Sequence, residues 1–80
     1  DSASLSALFQ WTEEEFLRNL EGSAIRRIGY ERWLRNLAVA LGNAATTPEV
    51  IAALKNRRGE SSALVAEHVE WALAQHGYAD

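Results

Sequence analysis

Apolar residues recur along this chain at intervals of three and four rather than two, so the pattern is helical throughout. The best-marked start is at Thr12, a suitable N-cap, with Glu15 three residues on to complete a capping box. Trp11 before the cap and Phe16 inside the helix have the spacing of a hydrophobic staple. Glu13, Glu14 and Glu15 complement the positive end of the helix dipole, so local capping accounts for that acidic cluster. Phe16, Leu17 and Leu20 supply an inner face, and Gly22 is the stop. Residues 23–29 read as a connection with one irregular helical turn, anchored by Ile25 and Ile28, with Arg26 and Arg27 outward. A second helix is predicted from about Tyr30 to Leu41, ended by Gly42 and Asn43. Tyr30, Trp33, Leu34, Leu37, Ala38, Ala40 and Leu41 share its broad apolar face. Arg32, Arg35 and Asn36 lie opposite and surround Val39.

Thr47 caps a third helix, with Pro48 at its first position and Glu49 next. Val50, Ile51 and Leu54 point inward, and Lys55, Arg57 and Arg58 fill the last turn before Gly59. A fourth helix begins after Ser61 or Ser62 and runs to about His76, with Val65, Val69, Ala72 and Leu73 inside. Ahead of all four, Leu5, Leu8 and Phe9 read as a short helical turn or docking segment. Residues 35–42 also align with residues 67–74 at an offset of 32, with Ala-Leu recurring at the same helical position. Repeats of the HEAT type, two stacked helices per unit, have comparable lengths. The expected fold is therefore all-α: a small bundle of about four helices in HEAT-like, α-solenoid pairs. Residues 1–11 are the leading segment or linker, 12–77 the helical domain and 78–80 a tail.

Charge changes this picture more than composition does. The net charge of −3 argues against a generic basic nucleic-acid binder. Yet residues 1–17 and 59–80 carry no Lys or Arg, and all eight bases fall within 18–58. Seven of the eight are Arg, whose planar fork matches phosphate and carboxylate. Arg26, Arg27, Arg32 and Arg35 are packed into ten residues. They form either a backbone-phosphate site, helped by Asn36, or a set of surface salt bridges with Glu21, Glu31 and the acidic ends. Lys55, Arg57 and Arg58 form either a second strip or compensation of a helix dipole.

Candidate catalytic chemistry is thin. The absence of Cys excludes disulfides, thiolate catalysis and iron–sulfur ligation within the chain, and fits a cytoplasmic origin. His68 and His76 stand two turns apart on one helix and cannot share a metal within it. No carboxylate pair, serine elbow or phosphate loop is present, so no catalytic, cofactor-binding or metal residue is expected. Trp33 and Trp71 are expected in the core and Trp11 in the staple. Tyr30 either stacks on a base or caps the core. No apolar run approaches the roughly 18 residues of a membrane span. The N-terminus is not a signal peptide, and without an initiator Met the chain reads as an excised fragment or processed product.

Residues 9–16, Phe-Gln-Trp-Thr-Glu-Glu-Glu-Phe, then Gly22-Ser23-Ala24-Ile25-Arg26-Arg27, then the run Arg32 to Asn43, resemble the C-terminal region of bacterial epoxyqueuosine reductase. The stretch His68-Val69-Glu70-Trp71-Ala72-Leu73-Ala74-Gln75 fits as well. Members of that family, also described generically as iron–sulfur cluster-binding proteins, carry out the last step of queuosine synthesis in tRNA. The resemblance implies a HEAT-like domain that helps hold the tRNA anticodon stem-loop. It implies a parent oxidoreductase using cobalamin and two 4Fe–4S clusters, none of which is assignable to residues of this chain. The expected partners are the tRNA anticodon stem-loop and the catalytic domain of the same parent chain, with no membrane and a monomeric state. The expected site is Arg26, Arg27, Arg32, Arg35 and Asn36, with Lys55, Arg57 and Arg58 as the second strip. The alternative is a structural domain whose same face packs on the iron–sulfur catalytic domain without touching RNA.

Overall fold

Side-chain oxygens decide where most of the helices begin, because the first backbone N–H groups of a helix have no internal acceptor. The computed structural model describes residues 1–59 and 62–78. Asp1 Oδ1 accepts from the Ser4 amide at 2.9 Å and starts α1 (Ser2–Phe9). Thr12 Oγ1 accepts from the Glu15 amide, Glu15 Oε1 accepts from the Thr12 amide, and the capping box opens α2 (Glu13–Asn19). Ser23 caps a 3-10 turn, Ala24–Ile28. Then α3 (Tyr30–Gly42) starts without a side-chain cap, after Gly29 at φ +89°. Thr47 caps α4 (Pro48–Asn56), and Ser62 caps α5 (Ala63–Gln75).

The described residues thus form an all-α bundle of five α-helices, one more than the pattern predicted. The additional helix is α1, which docks on α3 and α4 and puts Phe9 into the core with no exposed surface. It is the segment of Leu5, Leu8 and Phe9, read from the pattern as a short helical turn or docking segment and found to be both helical and docked. Ser6 is buried, but its hydroxyl donates to the Ser2 carbonyl at 2.8 Å, so it enters the interior with its donor satisfied.

The core runs from Phe9 and Phe16 through Leu34, Leu37 and Leu41 to Leu54, Val69 and Leu73. At one end lies an aromatic cluster. Trp11 stacks on Trp33 at 5.7 Å, and Phe16 sits tilted against both Trp33 and Tyr30. Tyr30 is therefore a core cap, with its hydroxyl donating to the Trp11 carbonyl at 2.5 Å. At the other end α3 and α5 make the most extensive helix pairing. Gly42 permits it: a Cβ there would come within 2.5 Å of the Trp71 ring and 3.0 Å of the Ala72 Cα. His76 closes the same end. Its Nε2–H donates to the Leu41 carbonyl at 2.7 Å, and its Nδ1 shares a hydrogen with the Thr46 hydroxyl at 2.6 Å.

Three expectations about burial are corrected, the first being Leu17, expected on an inner face but exposed on α2. Ile25 and Ile28 do not anchor the connection; both are exposed, because the 3-10 turn buries none of its residues and its i and i+3 side chains line up on one side. Trp71 is not a core residue but 40% exposed, lying across the flank of α3 over Gly42.

Candidate nucleic-acid interface

The arginines divide into two groups with opposite fates. Arg26 and Arg27 belong to the outward 3-10 turn and are both exposed. With Leu17, Gly22, Ser23 and Ala24 they line an open cleft of about 550 Å³. Gly22 turns the chain into that cleft at φ +81°, a conformation that a side chain would strain. On α3, Arg32 is exposed and Arg35 half-buried. Their spacing of three places them side by side on one helix face, with exposed Asn36 beside them. Among the described residues none of these four arginines has an ion pair or a hydrogen-bonded side-chain partner. The salt bridges to Glu21 and Glu31 that would have neutralised them do not form there.

Lys55, Arg57 and Arg58, the proposed second strip, are occupied within the fold. Lys55 hydrogen-bonds the Tyr78 hydroxyl, with its ammonium close to that ring. Arg58 makes a fork to Glu70, Nε to Oε2 at 2.8 Å and Nη2 to Oε1 at 2.9 Å, tying the end of α4 to α5. Arg57 is only 9% exposed. Its Nε donates to the Phe9 carbonyl at 2.9 Å and its Nη2 to the Trp11 carbonyl at 2.5 Å. The guanidinium is also within 6.0 Å of the Phe9 ring and 5.8 Å of the Tyr30 ring, in cation–π range. It fastens the carbonyl end of α1 to α4, so Arg57 holds the fold together. Neither of the two uses weighed from sequence, a strip or a dipole complement, describes this clasp. Its acceptors lie 46 and 48 residues away, and no local signal announces them.

The Glu15 carboxyl is held below the usual carboxylate range chiefly by the Thr12 backbone amide, which outweighs the opposing effect of desolvation, with lesser help from the Thr12 hydroxyl and the Arg18 charge. Among the described residues no group of three or more His, Asp or Glu is placed to hold a metal. Both ring nitrogens of His76 are engaged, and His68 Nδ1–H donates to the Leu64 carbonyl at 2.8 Å. No helix among the described residues is long and apolar enough to cross a membrane.

This geometry defines a small all-α module with an edge of unpaired arginines and no catalytic constellation among its described residues. The chain is similar over nearly its whole length to a segment of the epoxyqueuosine reductases. It is 66% identical to epoxyqueuosine reductase of Pseudomonas aeruginosa and 65% identical to that of Xanthomonas campestris, in each case over 96% of the chain. It is 58% identical to the Escherichia coli enzyme over 89% of the chain. The chain spans about a fifth of the length of these relatives, 21%, 22% and 18% respectively. No family model and no solved structure matches it.

Proposed function

We propose that this chain is the C-terminal, HEAT-like accessory module of an epoxyqueuosine reductase and that its arginine edge holds the tRNA anticodon stem-loop. The observation that carries this reading is the contrast within one basic segment. Arg57 and Arg58 are consumed by the fold, whereas Arg26, Arg27, Arg32 and Arg35 are left without partners among the described residues. Without partners among the described residues, these largely exposed guanidiniums add little to the stability of the fold. They match a polyanion, whose phosphates accept both arms of the fork.

In this role the arginines position the RNA and do not read its sequence. Each phosphate contact releases counterions, so affinity should fall steeply with salt. Asn36, beside Arg32 and Arg35, supplies a neutral donor and acceptor for a sugar hydroxyl or phosphate. Reduction of epoxyqueuosine to queuosine in tRNA would belong to the remainder of the parent oxidoreductase. The 4Fe–4S clusters that the resemblance implies do not fit here, since the chain has no Cys to ligate a cluster, and the cobalamin is likewise assigned to the remainder of the parent. On this proposal the protein works in the cytoplasm.

The test is an NMR titration of the chain with a queuosine-type anticodon stem-loop at low and at physiological salt. Salt-sensitive shifts centred on residues 26–36 are expected, and charge reversal at Arg32 and Arg35 should remove them. A folded chain with no shifts at low salt would overturn the reading.

A further inference from the structure

Val39, Leu64 and Trp71 are 37, 38 and 40% exposed, and they share one flank of the molecule. Leu64, Glu67, His68 and Trp71 fall on one stripe of α5, being three, four and seven apart. Val39 faces that stripe from α3. Between them opens a groove of about 340 Å³ lined by Val39, Glu67, His68 and Trp71. The indole is braced, because Gly42 leaves space for the ring to lie against the α3 backbone. His68 is oriented too, since its Nδ1–H is given to the Leu64 carbonyl, so in the neutral ring Nε2 is an acceptor.

An apolar centre with a large rigid aromatic, rimmed by a carboxylate and an imidazole, has the anatomy of a protein–protein contact. The groove is open and has no converging donors, which does not suit a small anion. Glu67 also sets it apart from the arginine edge, because a carboxylate in the groove repels a phosphate backbone. What covers it is indicated by length. The relatives are about five times as long as this chain, so in them a segment of this kind shares its polypeptide with much more protein. A tethered surface is present at an effective concentration on the order of millimolar, so a small contact suffices to seat it. Contacts between domains of one chain are indeed modest and partly polar.

We propose that the groove between Val39 and Trp71 is the docking site for the remainder of the same polypeptide, which inserts an apolar side chain beside Trp71 and offers a donor to Glu67. This rests on reading the chain as one segment of a longer reductase, but not on its contacting RNA. The two surfaces have separate tasks, with arginines for the nucleic acid and the Trp71 groove for the rest of the enzyme.

Hydroxyl-radical footprinting reads the exposure of Trp71 directly. The oxidation rate of Trp71 should fall several-fold in the full-length polypeptide relative to the 80-residue chain. Val39→Glu should restore the rate in the full-length protein while leaving the melting temperature of the short chain unchanged. Equal rates in the two wild-type forms would overturn the proposal. So would protection of Trp71 in the short chain by added stem-loop RNA, which makes RNA the occupant, or protection that rises with chain concentration, which makes it a second copy. Loss of RNA binding on charge reversal at Arg26 and Arg27, with Trp71 protection intact, separates this proposal from the arginine reading.

Discussion

Replacing Arg57 with Met is the sharpest test of how the fold is held. The substitution keeps a flexible apolar stem in the same space and removes only the guanidinium. At least two hydrogen bonds from a charged donor disappear, those to the Phe9 and Trp11 carbonyls. Each such bond contributes about 1.5–3 kcal/mol. Two effects reduce the sum. The Trp11 carbonyl keeps the Tyr30 hydroxyl as a donor, and a buried cation no longer has to be desolvated. The net loss should be about 2–3 kcal/mol. An 80-residue domain has about 4–12 kcal/mol in total, so much of its stability is at stake.

Urea unfolding followed by Trp fluorescence and helical circular dichroism measures this. At about 4–8 °C per kcal/mol for a domain of this size, the melting temperature should fall by about 10–20 °C. Arg57→Lys should lose roughly half as much, because one ammonium cannot span both carbonyls as the fork does. Arg58→Met is the control: its fork to Glu70 is partly exposed, and its loss should cost less than about 1 kcal/mol. Hydrogen exchange should show α1 opening first in Arg57→Met, since the clasp is what fastens its end. If Arg57→Met costs no more than Arg58→Met, the clasp is not a stabilising device and the reasoning fails.

Other consequences are as direct. Gly42→Ala should destabilise by about 1–3 kcal/mol by forcing α3 and α5 apart, and a thermal melt reads it; an unchanged melt would show that Trp71 simply moves aside. His76→Ala should cost about 1–2 kcal/mol by unfastening Leu41 and Thr46 from the end of α5, measured by urea unfolding. Glu15 should titrate below an ordinary glutamate in carboxyl-detected NMR, and Thr12→Ala should raise it only in part, because Ala keeps the backbone amide that is the main cause. Because its folded pKa is depressed, the stability it contributes is complete above the unfolded value and is lost as pH falls through the folded one. Charge reversal at Arg26 and Arg27 should weaken stem-loop binding and flatten its salt dependence by about 0.7–0.9 per lost phosphate contact, with the melt unchanged.

How much of this was legible in the sequence depends on the range of the interaction involved. Thr12 with Glu15, and Thr47 with Val50, act across three residues, and pattern alone located both. Trp33 and Leu34 repeat at helical spacing, and their burial followed. Arg57, His76 and Gly42 were a different matter. Their partners lie 48, 35 and about 30 residues away, so their roles come into being only when helices meet. Trp71 illustrates the same limit from the other side. It recurs where a core residue should, but among the described residues no further helix covers that flank.

The division among the arginines follows from where each helix ends. Arg57 and Arg58 follow the last residue of α4, at a point where the backbone carbonyls of α1 and a carboxylate of α5 are both within reach, so folding itself neutralises them. Arg26 and Arg27 lie on a turn with no buried side, and Arg32 stands on the outer face of α3, where no acidic helix passes among the described residues. A fold with acidic ends had enough carboxylates to pair all four arginines, since Asp and Glu outnumber Lys and Arg by eleven to eight. Among the described residues these four are left unpaired, which is what the proposed contact with closely spaced oxyanions requires of them.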